Sequence, residues 1–200
     1  MKIIIISGKA EAGKTTAANF IHSILKDAGY AVARASYGQY VKDTAKMLYG
    51  WDGVKDEAGR QLLQHWGTDV VRKKDPDFWV ETVGRLAEMI DGEFDYLIID
   101  DCRFPNEFDY WVTKRCISKP EVWDYEGKNR KWDFRWKNVY LFRVERPGHE
   151  NILTPEQRQH PSETAMDDHE FDAVLTATNQ EELYDEVKNK VFGTFCLTSR

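Results

Sequence analysis

This sequence contains five short apolar runs, each about as long as a β-strand. The first consists of four consecutive isoleucines at 3–6, and an unbroken apolar run of this length is typical of a strand that is buried on both faces. Each of the other four runs is flanked by polar or turn-forming residues. These runs lie at 30–35, 94–99, 139–144 and 171–177. The pattern therefore predicts about five strands.

The segments between these runs carry apolar residues at helical spacing. In the segment 14–28, one stripe consists of Ala17, Phe20, Ile21, Ile24 and Leu25. Similar patterns predict helices at 40–49, over most of 59–91 with a charged turn at 72–77, at 104–112 and at 180–191. Strands that alternate with helices favour the α/β class. We expect a three-layer fold, with a parallel sheet of about five strands and helices on both faces.

The loop after the first strand has a phosphate-binding pattern. Residues 8–15 read GKAEAGKT and match G-x-x-x-x-G-K-[ST], the P-loop, between a predicted buried strand and a predicted helix. The two glycines allow tight turns and a close approach to phosphates. Lys14 can reach the β- and γ-phosphates, and the Thr15 hydroxyl can ligate Mg²⁺. The predicted nucleotide-binding residues of the loop are Gly8, Ala10, Ala12, Gly13, Lys14, Thr15 and Thr16.

Two acidic residues, Asp100 and Asp101, follow the third predicted strand. A carboxylate after a hydrophobic strand is the Walker B arrangement, which can hold Mg²⁺ directly or through water. Many strands end in an aspartate that caps a helix or a turn, so it is the P-loop nearby that favours the metal site. Ligands of parallel sheets bind at the carboxyl ends of the strands, so we expect Asp101, Arg146 and Asn179 at the P-loop edge. Glu11 should point outward, because an inward carboxylate would oppose phosphate charge.

Composition and charge narrow the classes of function. The 200 residues, of which 42% are hydrophobic, are enough for one domain with a sizeable core, and we assign 1–200 to one domain. The formal net charge of -6 argues against general nucleic-acid binding. We expect no membrane span and no signal peptide. The widely spaced cysteines indicate reduced thiols in a cytoplasmic protein.

An aromatic and basic segment at 113–138 interrupts the α/β pattern. Its aromatic residues, which are interleaved with lysines and arginines, are Trp123, Tyr125, Trp132, Phe134 and Trp136. Residues 126–129 resemble a turn between two alternating arms, so the segment predicts a hairpin excursion. The aromatic rings could stack on a nucleobase or on single-stranded nucleic acid. Packing on the domain, or on a second subunit of a homodimer, is the favoured interpretation.

A P-loop alone does not distinguish a kinase from a GTPase or a mechanical ATPase. GTPases usually read guanine with N-K-x-D, whereas the Asn189-Lys190 pair here is followed by Val191 and Phe192. A helicase-like motor would usually need a longer chain and more motifs. A small-molecule kinase fits the size best. Because it needs two anion sites, arginines should lie well beyond the P-loop.

Three further segments resemble a known family, the phage and bacterial deoxynucleoside monophosphate kinases. Residues 56–79 (DEAGRQLLQHWGTDVVRKKDPDFW) resemble its acceptor-binding helices, and 99–107 (IDDCRFPNE) resemble its strand-end D-x-R-F-x-N-E. Residues 160–163 (HPSE) and 178–183 (TNQEEL) resemble its C-terminal segment. With the P-loop, the resemblance covers most of the chain apart from 113–138, which is longer than the short turn expected there. It implies transfer of the γ-phosphoryl group of ATP, with Mg²⁺, to a deoxynucleoside 5′-monophosphate.

The resemblance also implies roles for individual residues. The implied catalytic residues are Lys14, Asp101, Arg103 and Arg146. The implied metal ligands are Thr15 and Asp101. Asn179 is the further implied nucleotide contact. The implied substrate-binding residues are Arg60, Gln64, Thr68, Asp69, Arg72, Arg103 and Trp79. Trp66 and Trp79 could stack on the acceptor base, although core packing is the favoured role for both. Arg146 and Arg158 could close over the phosphates as a lid of roughly 146–165.

Two alternatives remain open at this point. One is a P-loop kinase for another small acceptor, such as phosphomevalonate or dephospho-coenzyme A, because the sequence does not fix the shape of the acceptor pocket. The other is a nucleotide-dependent binding module that hydrolyses slowly and engages a partner through the tryptophan-rich hairpin. The preferred base, and the choice between ribose and deoxyribose, are not determined by the sequence.

Overall fold

The computed structural model describes residues 1–115, 138–149 and 151–194. Most of the predicted hairpin excursion, 116–137, lies outside the described residues. Residues 113–115 end a helix.

Parallel strands form one sheet. They are β1 (Lys2–Ser7), β2 (Val32–Ala35), β3 (Tyr96–Cys102), β4 (Val139–Glu145) and β5 (Ala173–Thr176). Their order is β2-β3-β1-β4-β5, so the first strand lies at the centre. Ile5 of β1 is in register with Ile99 of β3 on one side and with Leu141 of β4 on the other. The predicted α/β class and its five parallel strands are confirmed.

The helices connect successive strands. They are α1 (Lys14–Asp27), α2 (Tyr37–Tyr49), α3 (Glu57–Gln64), α4 (Phe78–Met89), α5 (Pro105–Arg115), α6 (Pro155–Gln159), α7 (Pro161–Thr164) and α8 (Gln180–Glu186). The π-helical segments His65–Arg72 and Val187–Thr194 continue α3 and α8. No helix within the described ranges has the length and apolar character needed to cross a membrane.

The isoleucines of β1 point alternately into two hydrophobic cores, because successive side chains of a strand face opposite sides of the sheet. Ile4 and Ile6 pack with α1 and with the α8 region. The core residues are Ala17, Ala18, Ile21 and Leu25 in α1, and Leu183, Val187 and Val191 in the α8 region. Ile3 and Ile5 pack with α2, α4 and α5 through Tyr37, Trp79, Val80, Val83, Ala87 and Trp111. All four isoleucines are fully buried. Helices on both faces of the sheet therefore make the predicted three layers.

The start of α2 differs from the prediction, since the helix begins at Tyr37 and not at residue 40. The carboxylate of Asp101, at the end of β3, accepts hydrogen bonds from the N–H groups of Tyr37 (2.9 Å) and Gly38 (2.7 Å). It also accepts one from the Ser36 hydroxyl at 2.7 Å. A side chain that is distant in sequence thus caps the helix, and no local pattern could have shown it.

One other segment departs from the predicted pattern, whereas the break before α4 falls within the charged turn that was predicted at 72–77. The polar stretch after β4 contains the short helices α6 and α7, which the apolar pattern did not predict. Thr154 starts α6 with a capping box: its hydroxyl accepts from the N–H of Gln157, whose side chain accepts from the N–H of Thr154.

Replacing Gly59 with alanine should destabilise the protein, although alanine is the better helix former. A Cβ at this buried position of α3 would collide with the carbonyl oxygen of Val54 and lie 2.9 Å from Nε1 of Trp51. We expect a loss of about 1–3 kcal/mol in the free energy of unfolding, measured by chemical denaturation.

Ala58→Gly, at the exposed preceding position, is the matched control. It should cost about 1 kcal/mol or less through helix propensity alone. A more stable Gly59→Ala variant would contradict the predicted collision.

Candidate functional site

The P-loop connects β1 to α1 and passes close to β4. Gly8 has a φ of 145°, and a Cβ on it would lie 2.5 Å from the carbonyl oxygen of Val144. Gly13, which precedes α1, has a φ of 102°. Both the backbone conformation and the approach to β4 therefore require glycine at position 8.

The N-terminus of α1 has no side-chain cap and no acidic residue in its first turn. Asp56, Thr154 and Asn179 cap the helices α3, α6 and α8 with their side chains. The first amides of a helix carry partial positive charge and need hydrogen-bond acceptors. Because the loop leads directly into this open helix end, the arrangement suits a bound phosphate group.

The ammonium group of Lys14 folds back over the loop. It donates to the carbonyl oxygens of Gly8 at 2.8 Å and Lys9 at 2.7 Å. Burial, with a smaller contribution from the positive charge of Arg103, lowers the pKa of Lys14 to about 8. The carboxylates of Glu163, Asp101 and Asp100 oppose this decrease. Lys14 and Arg103 are thus close enough to repel one another.

Asp101 and Asp100 both accept hydrogen bonds from other parts of the chain. Asp101 caps α2 with both of its oxygens. Asp100 accepts a hydrogen bond from Nη2 of Arg34 at 2.6 Å, and burial next to Asp101 raises the pKa of the Asp100 carboxyl. Thr15 is exposed at the start of α1.

A magnesium ion would therefore rely on few protein ligands. Across the described residues there is no cluster of three or more histidine, cysteine or acidic side chains with ligand geometry. Mg²⁺ usually keeps several waters and is held by one or two carboxylates and by substrate phosphates. The exposed Thr15 hydroxyl and the nearby Asp100 and Asp101 carboxylates fit such a water-rich site.

Arg103 lies directly after β3, on the loop that leads to α5. Its Nη1 donates to the carbonyl oxygen of Ser162 at 2.9 Å and forms an ion pair with the carboxylate of Glu163. The other oxygen of Glu163 accepts a hydrogen bond from the P-loop N–H of Ala10 at 2.9 Å. Arg103, a predicted catalytic residue, is therefore linked to the P-loop through Glu163.

Arg72 has a structural position in this protein. Its guanidinium forms an ion pair with buried Glu107 and lies 4.1 Å from the ring centroid of Phe104. Glu107 also accepts from the N–H groups of Arg103 at 2.6 Å and Phe104 at 3.1 Å. Burial raises the pKa of Glu107 to about 7, against the effect of Arg72. Arg72, through Glu107, thus helps to fix the turn that carries Arg103.

Lys55 interacts electrostatically with three other cations. Burial lowers the pKa of Lys55, and the charges of Lys42, Arg103 and Arg60 lower it further. Within the described ranges Lys42, Lys55 and Arg60 form no ion pair. These cations come from α2, from the loop before α3, from α3 itself and from the end of β3, so an anion between them would relieve their repulsion.

The other predicted substrate-binding residues have different surroundings. Gln64 and Thr68 are half-buried at the junction of α3 with the π-helical segment. Asp69 is exposed, 3.8 Å from Nδ1 of His65 and 3.9 Å from Nε2 of His160. Trp79 is only 2% exposed, and its indole N–H donates to the carbonyl oxygen of Gly67. Trp79 therefore has no free ring face for a nucleobase and packs in the core.

The predicted lid segment is docked on the P-loop. Glu11 points outward, as predicted, and its carboxylate contacts Nε2 of His149 (3.4 Å) and the N–H of Ile152 (3.3 Å). The next contact along the segment is that of Glu163 with the loop. Asp167 then forms an ion pair with Lys9 at 3.0 Å. Residues 9, 10 and 11 of the loop are thus each held by the segment that follows β4.

Arg146 and Arg158 of this segment donate to residues outside the P-loop. Nε of Arg146 donates to the carbonyl oxygen of Thr178 at 3.3 Å, next to Asn179 at the start of α8. Arg158 donates to Asn151 through Nε at 3.1 Å and Nη2 at 2.9 Å. Arg146 and Asn179 lie at neighbouring strand ends, where a nucleotide on the P-loop could extend.

Sequence analysis missed several residues of this site. Glu163 and Glu107 stand within the family-like segments HPSE and CRFPNE, so those motifs were a signal, but their contacts are long-range. No sequence motif marks Lys42 or Lys55, so the sequence does not distinguish them from other surface lysines.

Comparisons with known proteins add little to this geometry. No protein-family model matches the chain, and no curated protein matches it. Matching solved structures include an unliganded sugar kinase from a Janibacter species, with 13% identity over 100% of this chain and 99% of that chain, and a TM-score of 0.49. They also include an APS kinase variant from Mycobacterium tuberculosis, with 10% identity over 95% of this chain and 96% of that chain, and a TM-score of 0.41. Likenesses this low carry no argument about function.

Nucleotide affinity should depend on the protonation of Lys14. Its pKa of about 8 means that the free protein loses this positive charge as the pH rises through that value. The dissociation constant of ATP·Mg should therefore be nearly constant between about pH 7 and 7.5 and rise above about pH 8, by at most about tenfold per pH unit. Isothermal titration calorimetry across this range is the measurement.

Lys14→Ala is the control for this pH dependence. It should bind ATP·Mg more weakly and lack the rise above about pH 8, since no proton needs to be regained. A wild-type affinity that is constant up to about pH 9.5 would contradict the assignment of this titration to Lys14.

Proposed function

We propose that this protein is a P-loop kinase that transfers the γ-phosphoryl group of ATP to a deoxynucleoside 5′-monophosphate. The observation that carries the proposal is a pair of cationic groups that both interact electrostatically with Arg103. The open N-terminus of α1 with Lys14 forms the first, and Lys42, Lys55 and Arg60 form the second. Arg103 interacts with both sites and so lies where a phosphoryl group would pass between them.

On the donor side, the chain supplies hydrogen-bond donors and positive charge. The amides at the start of α1 would bind the β- and γ-phosphates, and Lys14 would exchange its two loop carbonyls for phosphate oxygens. Thr15 and, directly or through water, Asp101 or Asp100 would hold a Mg²⁺ ion, which would supply neutralisation of phosphate charge. Arg146 and Asn179 would contact the rest of the nucleotide.

On the acceptor side, the cations would bind and orient an anionic group. Lys55 and Arg60 have no competing ion pair within the described residues, so both are available to a phosphate. Arg103 would contact the transferred group and stabilise the charge that spreads over its oxygens in the transition state. Positioning and electrostatics are the main requirements of this chemistry.

The carboxylates near Lys14 support a phosphate acceptor over a neutral alcohol. Glu163 is held by Arg103 and by a P-loop N–H, and Asp101 accepts hydrogen bonds from the start of α2. Asp100 is paired with Arg34. Each carboxylate would have to leave its partners to take a proton from a hydroxyl group, whereas a phosphate oxygen is already ionised. The choice of a deoxynucleoside monophosphate rests on the family resemblance of 56–79 and 99–107.

ADP release in a coupled assay with ATP and Mg²⁺ tests the proposed activity. We expect release that depends on one or more deoxynucleoside monophosphates, with ribonucleoside monophosphates, phosphomevalonate and dephospho-coenzyme A tested alongside. Lys14→Ala should lower kcat/KM by at least about a hundredfold, because it removes a charge-assisted contact with the phosphates. Slow ADP release that is indifferent to every nucleotide acceptor would reject the proposal.

Lys55→Ala should weaken the acceptor specifically. We expect the KM of the acceptor to rise by about tenfold while the KM of ATP changes by less than about threefold, because a charge-assisted hydrogen bond is lost on the acceptor side alone. Lys26→Ala removes the same charge from the exposed end of α1 and serves as the control. An equal effect of both variants would mean that net charge, and not a site at Lys55, determines the KM.

A further inference from the structure

We propose that Glu163 is a positioning residue that holds Arg103 beside the phosphate groups bound by the P-loop. The kinetic part of this inference rests on the proposed phosphoryl transfer, whereas its binding part does not. Glu163 was not among the predicted site residues, and its role follows from its contacts alone.

Glu163 connects two parts of the site with its two oxygens. Its side chain is 5% exposed, one oxygen pairs with Nη1 of Arg103, and the other accepts from the N–H of Ala10. A buried carboxylate needs donors on both oxygens, because an unpaired charge in this environment is strongly destabilising. The positions of Arg103 and of the P-loop are therefore tied to one another.

The charge balance explains why such a connection is needed. Arg103 and Lys14 repel each other, and the Arg103 charge helps to lower the pKa of Lys14. Glu163 is the first of the carboxylates that oppose this effect. Without its negative charge, Arg103 would lose its ion pair and turn towards solvent, away from Lys14.

Arg103 keeps donors free for a ligand in this arrangement. Glu163 and the Ser162 carbonyl both use Nη1. Within the part of the chain that the structure describes, Nε and Nη2 have no hydrogen-bond partner, and the side chain is 31% exposed. A guanidinium that is fixed at one nitrogen presents its remaining N–H groups in a defined direction, which suits the oxygens of a phosphate.

The support on both sides of Glu163 is rigid. The N–H of Arg103 is held by Glu107 at 2.6 Å. On the other side, Asp167 bridges Lys9 of the loop at 3.0 Å and Arg143 of β4 at 2.9 Å. Glu163 thus lies between two fixed points, and its placement does not require closure of the segment.

The test is a double-mutant cycle on the affinity for ATP·Mg, measured by isothermal titration calorimetry. Arg103→Ala should weaken binding by about tenfold and Glu163→Gln by about three- to tenfold, because both variants remove Arg103 from the phosphates. The double variant should bind within about threefold of Arg103→Ala alone, since Glu163 acts through Arg103. In the kinase assay, Glu163→Gln should lower kcat in the same non-additive manner.

Glu170→Gln, an exposed carboxylate later in the same segment, is the matched control and should leave the affinity unchanged. Additive effects in the cycle would overturn the proposal. Tighter binding by Glu163→Gln would also overturn it, because Glu163 would then act as an anion that competes with phosphate. If Glu163→Gln does not fold, Glu163→Asp keeps the charge but is too short to reach both partners, and should weaken binding in the same direction.

The two proposals can fail separately in these experiments. If no acceptor stimulates ADP release but the effects in the binding cycle are non-additive, the kinase proposal is rejected and the role of Glu163 is retained. If turnover depends on an acceptor but the two substitutions have additive effects on binding, the kinase proposal is retained and the role of Glu163 is rejected.

Discussion

The open N-terminus of α1 is the feature on which the rest of the site depends. The central strand β1 is buried on both faces and delivers the chain to this helix end, and Gly8 allows the turn because its backbone passes close to Val144. No side chain of the loop caps the helix. The amides are therefore left for a bound anion, and the surrounding charges are arranged around that position.

Carboxylates in this protein hold the functional cations in place. Glu163 links Arg103 to the P-loop, and Glu107 fixes the turn that carries Arg103. Asp101 joins the end of β3 to the start of α2, and Arg72 is occupied by Glu107. Because Arg103 and Lys14 repel one another, the carboxylates near them offset a charge repulsion within the site.

Much of the fold could be predicted from local patterns. The four isoleucines of β1, the helical stripe of α1 and the motif at 8–15 depend on neighbouring residues, and the structure has the expected elements there. The outward position of Glu11 also followed from charge alone. The early start of α2 did not, because it depends on Asp101, which is distant in the sequence.

The sequence by itself determined the α/β class, the location of the phosphate loop and the identity of Lys14 as its cation, because strand burial, helix periodicity and loop spacing are local properties. Only the tertiary structure decided which charges meet. It paired Arg72 with Glu107 and Arg103 with Glu163, and it brought Lys42 and Lys55 towards Arg60. Side chains that are far apart in sequence interact only after the sheet has set the distances between them, and Coulomb energy depends on those distances.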